Sequence, residues 1–324
     1  MWPRVWLPAA SCIVAAVSCD SSAGNGWSAP DVITAIGEPG RGPGQFVKPR
    51  AAAVSPDGDL YVCDRTGRIQ RFDSAGNLTA SWNLPYVIDP TKARHDPRLA
   101  ERPAGFPVGM TFDAAGGRLL VADTHYHRVL VYSPDGRLLG SFGEFGTGPG
   151  QFIYPTSVAP DGRGFLYVAE YGGNDRIQRF TTEGRYVSEF GGHGSEPGRF
   201  SRPQTVLIDP AGNLWVADAC NHRICVFTPD GELLRIVGGA GDGPGRFSYP
   251  YGMAFDGSGN LLVAEFGNCR LQKLSTEGRP LDSWGRAGAG IAELNSPWSV
   301  VVDSQDAVYV VDSANNRVLR FRWP

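Results

Sequence analysis

Three sets of side chains in this sequence have the chemistry to bind or react, and their spacing separates them. There are five histidines, and His125 and His127 form a His-x-His pair of the kind that ligates zinc. Six acids, Asp64, Asp123, Glu170, Asp218, Glu265 and Asp312, are each followed four to six residues later by an arginine: Arg68, Arg128, Arg176, Arg223, Arg270 and Arg317. A catalytic carboxylate is needed once or twice in a chain. Six copies of one acid–arginine pair therefore predict structural ion pairs that hold loops in register. The runs GRGPGQF, GTGPGQF and GDGPGRF also recur, without the Lys-Ser/Thr of a phosphate loop and without opening a helix. They read as connections.

The elements that carry these residues are short strands. Phe200 to Gly238 contains four alternating or apolar runs, TVLID, NLWVAD, HRICVF and ELLRIV. Between them stand Pro210-Ala211-Gly212, a polar tip at Ala219 to His222, and Thr228-Pro229-Asp230-Gly231. Period-two alternation bounded by such residues predicts a four-stranded antiparallel meander. The unit recurs. Its opening proline falls at Pro49, Pro107, Pro155, Pro203, Pro250 and Pro297, with gaps of 58, 48, 48, 47 and 47 residues. Four strands per period in the forties predict an all-β, six-bladed β-propeller. The sixth unit stops after its third strand, and Asp31 to Gly37 matches the missing fourth, so 31–37 is expected to complete the last blade and close the ring. The composition agrees: 324 residues, 42% hydrophobic and 19% charged, with 43 Gly and 25 Pro, are too apolar for disorder and too turn-rich for a helical protein.

VADACNHRICVF and VADTHYHRVLVY resemble the NHL repeat, and the resemblance covers residues 31–323. It implies a six-bladed propeller and no single function, because that fold hosts binding modules, scaffolds and enzymes alike.

In such a fold the first strand of each blade lines the axis. The residue after each opening proline should then face the channel mouth: Arg50, Val108, Thr156, Gln204, Tyr251 and Trp298. A base, two aromatics and two polar groups suit a concave binding surface. The inter-blade loops and second hairpins emerge on one face, which gathers Arg65, His125, Tyr171 and the other histidines there as a secondary surface. Separate hairpin tips are too far apart to share one ion at bonds of ~2 Å. Peptidyl-hydroxyglycine amidating lyases are similar six-bladed propellers whose zinc histidines follow the opening proline in alternate blades. The matching positions here are Val108, Gln204 and Trp298, so the zinc site is not expected. Arg65 matches the catalytic arginine of that family, and Tyr171 lies one position from its tyrosine. Calcium-dependent lactonase propellers need Asn, Asp or Glu around the axis, and this ring has none. No cofactor is predicted; zinc or calcium is the alternative.

The ends and irregularities set the context. Residues 1–18 read as a signal peptide, and Ala16-Val17-Ser18-Cys19 resembles a bacterial lipobox with Cys19 as the lipidated residue. Cys12 has fewer apolar residues before it. Residues 19–30 read as a flexible tether and 31–324 as the propeller. This predicts an exported, lipid-anchored protein of the bacterial cell envelope, reaching the membrane through its anchor alone. The formal net charge of −3 gives no general attraction to nucleic acid. The first period is about ten residues longer than the rest, and the excess lies in Asn83 to Gly105, a charged, proline-rich segment expected on the loop face. Cys63 reads as a buried thiol in the place of Ala. Cys220 is placed to pair with Cys225 or with Cys269 in an oxidising compartment. With no catalytic set surviving, the expected function is a monomeric, non-enzymatic binding or scaffold module for a protein, peptide or glycan. A lyase or hydrolase working at the channel mouth is the alternative.

Overall fold

The computed structural model describes residues 15–18, 30, 32–85 and 107–323. The signal and lipobox assignments around Cys12 and Cys19, the tether up to residue 29, His95 and the insertion from residue 86 lie outside them.

Six antiparallel sheets follow one another in the predicted order. In blade 4 the strands are Pro203–Ile208, Leu214–Asp218, Arg223–Phe227 and Leu233–Gly238, innermost to outermost. The second strands are buried on both faces, as in LYVC of blade 1 and LLVAE of blade 5, because each blade is packed between two others. Trp215, Tyr61, Tyr167 and Tyr309, the largest fully buried side chains, all come from these strands.

Blade 6 closes the ring as expected. Val32–Ile36 pairs antiparallel with Arg317–Arg322, placing Ala35 opposite Leu319. Ile36, Tyr309 and Val318 then pack with Ala52, Leu60 and Phe72 of blade 1 in one core. The Lys48 N–H donates to the Asn316 side-chain oxygen (2.8 Å) and Arg320 donates to the Ser74 carbonyl (2.7 Å), tying the two blades at both edges. Ala15–Ser18, within the segment read as a leader, pairs outside Val32–Ile36, so blade 6 carries a fifth strand.

Two packing devices set the spacing around the axis. The Gly-rich connections fold back on themselves and bury an apolar plug: Phe46, Phe152, Phe200, Phe247 and Leu294. At the end of blade 4, Gly238 adopts φ +85, as Gly37, Gly143, Gly191 and Gly285 adopt φ +83 to +104 at the equivalent positions; a Cβ on Gly238 would stand 2.2 Å from the Phe247 ring. Nearer the axis, a Cβ on Gly252 would stand 2.6 Å from the Ser299 Cα of blade 6, so only glycine lets those innermost strands approach.

Candidate functional site

The six acid–arginine pairs form as predicted, and their geometry shows what they do. Every acid is buried. Arg128 Nε reaches Asp123 at 2.9 Å, Arg176 reaches Glu170 at 2.6 Å, Arg223 reaches Asp218 at 2.8 Å, Arg270 reaches Glu265 at 2.5 Å and Arg317 reaches Asp312 at 2.8 Å. Arg68 approaches Asp64 through its terminal nitrogen at 3.4 Å. In five blades the acid also accepts a backbone N–H from the preceding inter-blade loop, such as Ser201 to Asp218 at 2.7 Å and Asn295 to Asp312 at 2.7 Å. The arginine donates back to carbonyls of that loop, such as Arg223 to Arg199 at 2.9 Å. Each pair therefore staples a hairpin tip to the loop that leads into its own blade. Burial pushes the Asp123 carboxyl up to about 6, against the pull of Arg128. It also raises Glu170, Asp218 and Asp312.

The four described histidines are parts of the same framework. His127 and His222 adopt left-handed backbone, φ 58 and 56, as does Asn316, φ 56. Each caps a hairpin tip and reaches the next blade's loop: His127 contacts the Ile153 carbonyl and His222 accepts the Tyr249 N–H at 3.1 Å. His125 lies against the Tyr154 ring, 5.7 Å away. His193 pairs through Nδ1 with the buried Asp175. Among the described residues no group of three or more His, Cys, Asp or Glu is placed to hold a metal ion.

The disulfide expectation is corrected: Cys63, Cys220, Cys225 and Cys269 are all free thiols. Cys225 is in the core between blades 3 and 4, while Cys269 packs against the core of blades 5 and 6. Cys63 is the buried thiol expected, and burial raises its pKa well above the ordinary value.

The channel mouth is where the blades differ. The ladder between first and second strands slips between Pro155 and Ser157, Pro203 and Val206, Pro250 and Gly252, and Pro297 and Ser299. Such a bulge leaves the intervening residue unpaired and re-aims its side chain. Gln204, Tyr251 and Trp298, all in bulges, join Val108 in lining a cavity of about 240 Å³ that continues down to Phe112, Leu207, Phe255 and Val302. Val108, Gln204 and Trp298, at the zinc-histidine positions of the amidating lyases, are thus cavity walls. Thr156 does not line the cavity. It is buried, and its hydroxyl donates to the Pro203 carbonyl at 2.8 Å, tying blade 3 to blade 4.

Around this cavity runs a belt of arginines and aromatic rings. Arg50 lies over Trp298 at 4.3 Å; Trp298 meets Tyr251 edge-on at 4.9 Å; Tyr251 stacks on Phe266 at 4.9 Å. Arg202 lies over Tyr171 at 5.0 Å and Tyr251 at 5.9 Å, and Tyr171 packs on Tyr154 at 5.1 Å. Burial, then the positive charge of Arg65 and of Arg202, push the Arg50 guanidinium down to about 10. Burial raises Tyr171 and Tyr251, with Arg202 working the other way. Gln204 is only 4% exposed, yet among the described residues its amide nitrogen has no hydrogen-bond partner, and neither does the buried Nε of Arg202.

Of the predicted mouth residues the structure brings together Arg50, Gln204, Tyr251 and Trp298, with Arg65 and Tyr171 joining from the secondary surface. Sequence reasoning missed Arg202, Tyr154 and Phe266. Arg202 and Tyr154 directly precede opening prolines, and Arg202 takes φ 58. Phe266 occupies the position after the staple acid, which Arg65 and Tyr171 fill in blades 1 and 3. In blades 2, 4 and 6 that position holds Thr124, Ala219 and Ser313, small buried residues that begin a 3-10 turn. Comparing those six positions would have exposed the alternation.

The NHL repeat family matches residues 105–132, 200–227 and 294–321, which are the inner strands and tips of blades 2, 4 and 6. No curated protein matches the chain in sequence. Among solved structures the chain is similar to a virginiamycin B lyase from Staphylococcus aureus, at 16% identity over 85% of this chain and 80% of that one, with a TM-score of 0.56. It is also similar to a protein of unknown function from Bacteroides thetaiotaomicron VPI-5482, at 17% identity over 90% and 75%, with a TM-score of 0.64. A streptogramin B lyase matches at 13% identity over 90% and 97%, with a TM-score of 0.59. At these identities the likeness is one of fold.

Proposed function

Since the chain is a six-bladed propeller carrying NHL repeats, we propose that it is a binding module whose channel mouth captures a peptide segment of a partner. We place it outside the cytoplasm, tethered through Cys19. The observation that carries this reading is the belt of Arg50, Trp298, Tyr251, Arg202 and Tyr171 around the cavity. Aromatic rings and arginines are the side chains that anchor protein interfaces. They are gathered where the residues after the opening prolines differ from blade to blade. The address rests on the leader-like start and the lipobox-like AVSC.

A second reading is a lyase or hydrolase at the same mouth. It is favoured by the pairing of Asp175 with His193, a carboxylate–imidazole arrangement suited to a general base, whose carboxylate also acts on Tyr171.

One experiment addresses both readings. Purified protein is offered to an array of peptides and glycans beside an Arg50→Ala/Trp298→Ala variant, and captured ligands are checked by mass spectrometry. Peptide capture that the double variant loses, with ligands recovered intact, is expected. Equal capture by the variant removes the mouth from the reading, glycan capture changes the partner class, and cleaved ligands favour the enzyme. Membrane partition of the native protein, lost in Cys19→Ala, checks the tether.

A further inference from the structure

Arg202 and Gln204 flank Pro203, and both present buried nitrogens that no group among the described residues satisfies. Leaving a buried donor unpaired is costly, so two that flank one proline, one of them in a cavity wall, require a reason. A ligand supplies one. Gln204 is buried to within 4% and forms part of the cavity wall with Tyr251 and Trp298. Arg202 is held over Tyr171 and Tyr251, so its guanidinium is oriented by two rings while its donors stay available. Asp175, the carboxylate that acts on Tyr171, is already paired with His193.

Resting on the peptide-binding reading above, we propose that the mouth recognises a free carboxylate joined to a planar apolar group, as at the C-terminus of a peptide ending in an aromatic residue. The carboxylate meets the Arg202 fork and the Gln204 amide N–H. Carboxylate and guanidinium are planar partners that pair bidentately. The side chain enters the cavity against Tyr251 and Trp298, whose rings meet edge-on at 4.9 Å and are backed by Phe266. The cavity of about 240 Å³ is below the ~300 Å³ at which small-molecule pockets begin. It admits one residue-sized group and the end of a chain, not a chain passing through.

The test uses the full chain and two probes that differ only at the carboxyl: N-acetyl-phenylalanine and N-acetyl-phenylalaninamide. Binding is followed by calorimetry and by Trp fluorescence. The free acid is expected to bind at least ten-fold more tightly than the amide. Arg202→Met should collapse that ratio toward one, and Arg202→Lys should keep part of it. Thermal unfolding of each variant separates lost recognition from lost folding. A ratio near one in the wild-type protein, or one unchanged in a folded Arg202→Met, overturns the proposal. So does binding of neither probe. If array peptides are still captured with amidated ends, the carboxylate inference fails while the peptide-binding reading stands. Loss of all peptide capture sinks both.

Discussion

Asp218 and Gln204 are close neighbours in blade 4, since Pro203, next to Gln204, pairs across the ladder with Asp218. Both are buried polar side chains. Asp218 is fully satisfied: it accepts from Ser201 N–H at 2.7 Å, Asn221 at 2.8 Å and Arg223 at 2.8 Å. Gln204 leaves its amide nitrogen unpaired. The acid–arginine pair recurs in every blade, although in blade 2 one Asp123 oxygen finds no partner among the described residues, whereas the residue after the proline is different in each. Within blade 4 the contrast separates a staple from the mouth by hydrogen-bond saturation, which neither polarity nor burial does. Both positions look equally polar in the sequence.

The largest expected effect comes from breaking the saturated side. Asp218→Ala leaves the Arg223 guanidinium facing an apolar gap and releases the 201–202 loop. Breaking a buried pair by removing one partner costs about 3–5 kcal/mol. Urea unfolding should show that loss, whereas Arg202→Met at the mouth, which gives up ring contacts worth about 1 kcal/mol, should lie close to the wild-type midpoint. Equal losses from the two would erase the distinction.

A second test uses pH. Burial holds the Asp123 carboxyl up at about 6, above its ordinary 3.8. A folded-state pKa raised in this way gives a contribution that is fully present below the unfolded value and lost as pH rises through the folded one. A displacement of that size corresponds to about 3 kcal/mol. The stability advantage of wild-type protein over Asp123→Asn should therefore be larger at pH 4 than at pH 7. An exposed ion pair predicts the reverse order, so a gap that widens toward neutral pH would show Asp123 to be well solvated.

Much of the architecture was legible because it repeats. The opening prolines, the VAD-like second strands and the acid–arginine spacing each occur six times, and residues 31–37 fit the one vacancy. The mouth was legible only in part. Counting one residue past each proline assumes a regular pleat. The bulges aim Gln204, Tyr251 and Trp298 into the cavity, but Thr156, in the equivalent bulge of blade 3, spends its hydroxyl on the Pro203 carbonyl. The left-handed turn at Arg202 brings a residue from the other side of the proline to the Tyr171 and Tyr251 rings. Those outcomes depend on neighbouring blades and are not encoded in a local spacing rule, because the first strands meet only after the ring closes. The free cysteines have the same origin: Cys220 and Cys225 are near in sequence, but Cys225 belongs to the core between blades 3 and 4.

The smallest effect has the opposite sign, and it bears most directly on the comparison. Replacing Gln204 by Met keeps the length of the side chain and removes the unpaired donor. A buried polar group without a partner destabilises the state that buries it, whereas an apolar group of the same shape does not. Gln204→Met should therefore raise the unfolding free energy by about 1 kcal/mol while weakening capture of the carboxylate probe. Protein chains that carry out a function at a cavity commonly hold it at the expense of stability. A Gln204→Met protein that unfolds more easily than wild type would mean that the amide is satisfied in solution, and the mouth would then join the staples as architecture.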